Sequence, residues 1–149
     1  MPPRYAVVLP AGSGKSTLGA TYEYLVDIDS LHTECFRHKL RALYDKTRQN
    51  NDWSTYNAFE CEWLLPHLAP LTEKHVVLLH EAQKAQLLGL TVVGAWKTSF
   101  AVMQRVAAQR NDFYLTPHSW ASTAATILET HTDVEQAVLE ACRLCVWGA

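Results

Sequence analysis

Tyr5-Ala-Val-Val-Leu9 runs into Pro10-Ala-Gly-Ser-Gly14 and then into Lys15-Ser-Thr17, and this stretch decides how the rest of the chain is read. The apolar run predicts a short buried strand, the Pro/Gly cluster a turn, and Lys15 the start of a short helix. Glycines allow successive backbone N–H groups to converge on one point. A helix N-terminus adds a partial positive charge of about half a unit there. With a lysine beside it, such a turn is a seat for a polyphosphate. Ala11, Gly12, Ser13 and Gly14 would line it, and Lys15 would reach the β- and γ-phosphates. Ser16 would ligate Mg²⁺, and Thr17 would contact the α-phosphate.

Outward from this turn, short apolar strands alternate with helices. Tyr24–Asp29 reads as a second strand, and Asp29 or Ser30 as the cap of a helix from Leu31 to Lys46. Asp52 is expected to cap a helix over Trp53–Leu65, stopped by Pro66. His75–His80 is the clearest central strand. A short helix over Glu81–Leu88 ends at Gly89, and Leu90–Ala95 is a fourth strand. A helix is expected over Thr98–Arg110 and a fifth strand over Asp112–Leu115. Thr116 followed by Pro117 is expected to open a helix to Glu129. Thr132 and Glu135 form a capping box for the last helix, whose buried face carries Val134, Val138, Ala141, Cys142 and Cys145. The alternation predicts an α/β three-layer sandwich: a mainly parallel sheet of four or five strands, helices on both faces, and the glycine turn after the first strand.

The chain has 149 residues, 48% of them hydrophobic and 19% charged, which predicts one globular domain. Within it, residues 31–65 would form a helical acceptor side and residues 97–115 a lid-like region. A formal net charge of -2 excludes a strongly basic nucleic-acid wrapper. No apolar stretch approaches the ~20 residues of a membrane helix, and the first residues have no export-leader pattern. Four cysteines are too few for a disulfide scaffold. Free thiols in a reducing, intracellular (cytoplasmic) compartment are expected. Oligomeric state is not legible.

Over Tyr5–Asp29 the sequence resembles the P-loop NTPase superfamily, and within it the small kinases of metabolites, nucleosides and polynucleotide ends. The resemblance rests on Gly12-Ser-Gly-Lys-Ser-Thr17 after a strand and on Asp27-Ile-Asp29 at the end of the next. It implies ATP or another NTP as phosphate donor, with Mg²⁺. The acceptor would be a hydroxyl compound, such as a phosphorylated small molecule or a polynucleotide end. Asp27 and Asp29 look like the pair that handles metal and acceptor hydroxyl, with Asp27 at the metal and Asp29 as general base. Two positions depart from the family pattern. Leu9 stands where G-x-x-x-x-G-K-[ST] begins with glycine, and His80 stands where a Walker B strand ends in an acid.

Other residues admit two uses each. Asp29 could be a helix cap. Glu81 could position water in an NTPase without an acceptor, or sit in a first helical turn. A binding-only domain is the third possibility. Arg105 and Arg110, with Lys97, could act from a lid on the transferred phosphate, since arginine's fork matches phosphate oxygens. Arg37, Arg41, Tyr44 and Arg48 share one helix face and could hold an anionic acceptor. The spacing His32-x-x-Cys35-x-x-His38 cannot put three ligands on one helix face, and Cys142 and Cys145 lack a second ligand pair.

Overall fold

A computed structural model describes residues 2–148. Five strands, β1 (Tyr5–Val8), β2 (Leu25–Asp27), β3 (Val76–Leu79), β4 (Thr91–Thr98) and β5 (Thr126–Leu128), form one sheet in the order β2-β3-β1-β4-β5. Every pairing is parallel. Parallel strands must be joined by crossovers, and the helices between them supply these. They are α1 (Lys15–Thr21), α2 (Glu34–Asn50), α3 (Trp53–Leu68), α4 (Ala82–Leu88), α5 (Phe100–Gln109), α6 (Leu115–Ser122) and α7 (His131–Cys142).

Strand alternation divides the core into two faces. Ala6, Val77 and Leu79 pack with Cys61 and Leu64 of α3 and Ala85 of α4. Val7, Val76 and Leu78 pack on the other side with Leu18 of α1 and Val134, Val138 and Cys142 of α7. The sheet is thus the middle of three layers. All four β3 residues are buried, as befits a strand with neighbours on both edges and helices on both faces.

The C-terminal third corrects the expectations from sequence. Asp112–Leu115 is not a strand. Asp112 Oδ1 accepts from the backbone N–H of Tyr114 (3.2 Å) and Leu115 (2.7 Å), which curls the segment into the start of α6. Phe113 is 74% exposed, so the apolar residue of that segment has no core to face. The helix predicted to reach Glu129 stops at Ser122, and the fifth strand is Thr126–Leu128 inside it. Pro117 stands at the third helical position rather than the first, still in the turn whose N–H groups have no helical acceptor. The cap of α7 is Thr130, whose hydroxyl accepts from Asp133 N (3.1 Å), rather than Thr132. In α3 the chain passes Pro66 and ends at Leu68. β4 runs three residues beyond Ala95, to Thr98. Among the described residues no helix is long and apolar enough to cross a membrane.

Candidate active site

The turn between β1 and α1 is built on two left-handed glycines, Gly12 (φ 86°) and Gly14 (φ 97°). Leu9 is fully buried and continues the sheet, its N–H donating to Leu79 O (2.7 Å). The pattern's missing first glycine is therefore a core residue at the strand's end. Ser13 N donates to Pro10 O (3.1 Å), which tightens the turn. Gly14 caps α1 with no side-chain hydrogen bond, and the first turn has no acid. The N–H groups of Lys15, Ser16 and Thr17 accordingly have no helical acceptor. Ser13 is buried and its Oγ has no partner. Ser16 and Thr17 are exposed.

Lys15 does not point into solvent. Its Nζ is paired with Asp27 Oδ1 and lies 3.0 Å from Asp29 Oδ2. β2 is not adjacent to β1, since β3 lies between them, so the meeting depends on α1 crossing over β3. Gly19 permits that approach: a β-carbon there would come within 3.1 Å of Asp27 Cβ. The two aspartates do not converge by strand alternation, because β2 ends at Asp27 and Ile28–Leu31 forms a 3₁₀ turn. Asp27 Oδ1 accepts from Asp29 N (3.1 Å) and caps that turn. Asp29 caps nothing, and Thr33 caps α2. The side chain of Asp29 is left free to meet Lys15 and the cavity beyond.

His80 Nε2 lies 3.3 Å from Asp29 Oδ2, and its Nδ1 lies 3.4 Å from Lys84 Nζ. A carboxylate at one nitrogen and an ammonium at the other assign the neutral ring with its proton on Nε2. Burial, then the positive charge of Lys15, holds the His80 pKa below the usual imidazole value. Burial alone would raise the Asp29 carboxyl. The contact with His80 and the ammonium groups of Lys15 and Lys84 outweigh it, so Asp29 is held below the ordinary carboxylate range. Lys84 Nζ is in turn 2.6 Å from Glu60 Oε1, and His32 Nε2 is 2.9 Å from Glu60 Oε2. Burial opposes the Glu60 charge, but Lys84 and His32 prevail and bring it down to about 2. Burial likewise opposes the Lys84 charge, and Glu60 reverses it to leave Lys84 above the usual lysine range. Asp29, His32 and Glu60 carry ligand atoms within 4.8 Å of one another. Lys84 already supplies the cation there. His38 and Cys35 are exposed, away from this cluster.

Asp29, His80 and Glu81 form the floor of a cavity of about 500 Å³ between α2, α3 and α6. Arg37, Arg41 and Tyr44 of α2 line it, as do Trp53, Tyr56 and Asn57 of α3 and His118 and Ser119 of α6. Arg48 instead stacks on the Tyr114 ring, 4.1 Å from its centroid. Glu81 Oε1 accepts from Asn57 Nδ2 (2.6 Å). α5 and α6 cover the glycine turn. Ala11 N donates to Ser119 Oγ (2.9 Å), and a β-carbon on Gly12 would come within 2.9 Å of Thr116 Cγ2 and 3.4 Å of Val106 Cγ1.

The basic residues assigned to a lid fall in different places. Lys97 is buried on β4, its Nζ donating to Trp120 O (2.7 Å) and Thr123 O (2.9 Å), so it is fixed and unavailable to a phosphate. Arg105 and Arg110 are exposed on α5 and at its end, and neither lines the cavity. Arg105 adjoins Val106, which packs toward Gly12, but the geometry does not bring its guanidinium to Lys15 or Asp29. His80, Lys84 and Glu60, and the part α6 plays in the cavity, are what sequence reading missed. Glu60 and Lys84 had a readable signal: each stands on the apolar side of its helix, Glu60 beside Cys61 and Leu64, Lys84 beside Ala85 and Leu88. A charge there needs a partner.

No family model and no curated protein matches the sequence. The structure does have counterparts. An unliganded sugar kinase from Janibacter sp. HTCC2649 superposes with a TM-score of 0.54 at 14% identity, over 97% of this chain and 96% of that one. A gluconokinase from Sinorhizobium meliloti 1021 gives 0.54 at 12% identity, over 97% of this chain and 94% of that one. With a parallel five-stranded sheet, helices on both faces and a glycine turn after the first strand, the chain shares the fold of these two kinases over nearly its whole length.

Proposed function

We propose that the protein is a phosphotransferase that moves the γ-phosphate of ATP or another NTP to a hydroxyl group of a small, negatively charged acceptor. The observation that carries this reading is the convergence of Lys15, Asp27 and Asp29 at the boundary between the phosphate turn and the cavity. A base, a cation and an acceptor chamber meet at one point. The likeness to kinases supports the same reading.

The turn fits a polyphosphate by its free first-turn N–H groups and by the unpartnered, buried Ser13 Oγ. Ser16 and Asp27 carry the oxygen donors that a hard divalent cation takes. Mg²⁺ held there would neutralise charge on the phosphates and orient them. Lys15 stabilises charge on the transferred group. Asp29, ionised at neutral pH, holds the acceptor hydroxyl and takes its proton as the new oxygen–phosphorus bond forms and the bond to the diphosphate breaks. Arg37 and Arg41 give the acceptor chamber its positive charge.

An ADP-release assay across hydroxylated anions tests this. Wild-type protein should turn over at least one acceptor. Asp29→Asn should lower that rate by about 10²–10⁴-fold while leaving ATP affinity in place. Full turnover by the Asn variant would remove Asp29 from the chemistry and this reading with it.

A further inference from the structure

We infer that the acceptor chamber is built for an anion carrying a flat heteroaromatic ring, the chemistry of a nucleoside monophosphate with a free hydroxyl, rather than for an open-chain polyhydroxy anion. The inference rests on the phosphotransfer reading only in taking Asp29 as the end toward which the hydroxyl points.

Three independent features of the chamber lead there. The first is its aromatic wall. Tyr44, Trp53 and Tyr56 form a mutually packed set, with ring centroids 5.7 Å (Tyr44–Trp53), 5.5 Å (Trp53–Tyr56) and 6.3 Å (Tyr44–Tyr56) apart. His118 of α6 stacks on Trp53 at 5.2 Å and 30°. All four rings line the cavity. Burial pushes the Tyr56 hydroxyl up to about 12, so Tyr56 is a neutral ring at any physiological pH. Such a wall favours a π-face and offers little to a chain of hydroxyls, each of which needs a polar partner when it leaves water.

The second feature is an orphaned acceptor. Asn57 is 1% exposed, and its Oδ1 has no hydrogen-bond partner among the described residues. The orientation of the amide is fixed by its other end, since Nδ2 donates to the Glu81 carboxylate (2.6 Å) and to Gln83 Oε1 (2.7 Å). A carboxylate accepts only, so the oxygen is the unpaired atom. A buried carbonyl without a donor is costly. A ring-edge N–H supplies the donor.

The third feature is charge. Arg37 and Arg41 are exposed where α2 borders the cavity. Arg41 is only loosely engaged with Asp45 (3.6 Å), and Arg37 reaches the Asp29 carbonyl at 3.4 Å. Two guanidinium groups at that border suit a phosphate substituent. The cavity's size, about 500 Å³, lies within the ~300–1,000 Å³ range of pockets that enclose drug-sized ligands.

Calorimetric titration tests the inference on protein saturated with Mg²⁺ and a non-hydrolysable ATP analogue, so that the phosphate turn is filled. The probes are the four nucleoside 3′-monophosphates taken singly, the matching uncharged nucleosides, D-gluconate and D-ribose 5-phosphate. At least one nucleotide should bind about tenfold or more tightly than both base-free anions. It should also bind more tightly than its own nucleoside. Trp53→Leu should erase the preference over base-free anions. His118→Ala should weaken the preference in the same direction, and serves if Trp53→Leu fails to fold. Arg37→Gln with Arg41→Gln should bring nucleotide and nucleoside affinities together. Equal or tighter binding of D-gluconate, or no nucleotide binding at all, overturns the inference. Ring-selective binding with no transfer supports it while removing the phosphotransfer reading. Transfer to a base-free anion alone does the reverse.

Discussion

His80 Nε2 and Lys15 Nζ hold the same oxygen of Asp29, Oδ2, at 3.3 Å and 3.0 Å. The proposed function gives the two different fates: Lys15 is the group that the phosphates would recruit. His80 is tied from behind by Lys84, which is tied to Glu60. On that reading, once Lys15 turned to phosphate, His80 would keep Oδ2 in place and leave Oδ1 to the acceptor.

His80→Ala should therefore lower turnover by up to about 100-fold through misplacement of the base, with little change in KM for ATP. His80→Gln, whose amide N–H can donate to the same oxygen, should recover most of the loss. Steady-state kinetics on the two variants check this. A fall in ATP affinity instead of turnover would give His80 a different role.

Lys15→Ala should abolish triphosphate affinity and also destabilise the free protein. The Lys15–Asp27 pair is buried, and removal of one partner strands the other charge, at a cost of about 3–5 kcal/mol. Asp27→Asn in the same chain should return much of that stability but none of the affinity. Denaturant melts of the two single variants and the double variant measure the coupling.

Glu60 makes stability pH-dependent in the acid range. Its folded-state value, about 2, lies below its ordinary 4.5. The unfolded chain therefore takes up the proton first, and stability is lost as pH falls from about 4.5 toward 2. The shift corresponds to about 3 kcal/mol. Unfolding free energies of wild type and Glu60→Gln should differ most above pH 5 and converge toward pH 2. A constant difference across that range would mean that Glu60 is not held ionised by Lys84.

Gly12→Ala should destabilise the protein by about 1–3 kcal/mol through two separable causes. Residue 12 has φ 86°, and the new β-carbon would meet Thr116 Cγ2 at 2.9 Å. Thr116→Ser removes that methyl without touching the backbone. The double variant should thus recover part of the loss, with the backbone cost remaining. Thermal melts separate the two causes.

The fold's first 110 residues were largely legible because strand, turn and cap signals there agree. Gly89 ends α4 in the left-handed region (φ 71°), and Asp52 caps α3 through Thr55 N. The misreading began at Asp112. Four residues containing Phe and Tyr look like a strand, but one side-chain oxygen turns them into a helix start. Thr126–Leu128 is too short a strand to be heard inside a helical pattern. Within the site, Lys15, Asp27 and Asp29 were legible because motif spacing is local. The burial of Lys84 and Glu60 left a signal, but their link to His80 did not, because it joins α3, β3 and α4 across distances that spacing does not encode. Lys97 misled for a related reason. A strand lysine whose ammonium is taken up by two backbone carbonyls looks, in sequence, like any other free cation.

The strand order has a consequence for synthesis. Lysine 15 and both aspartates leave the ribosome within the first 29 residues, yet residues 76–79 must slot between the strands that carry them. A nascent chain halted before that point holds the lysine and both acids and has no central rail on which to align them. The lysine and the two acids therefore cannot be brought into line until residues 76–79 have been made.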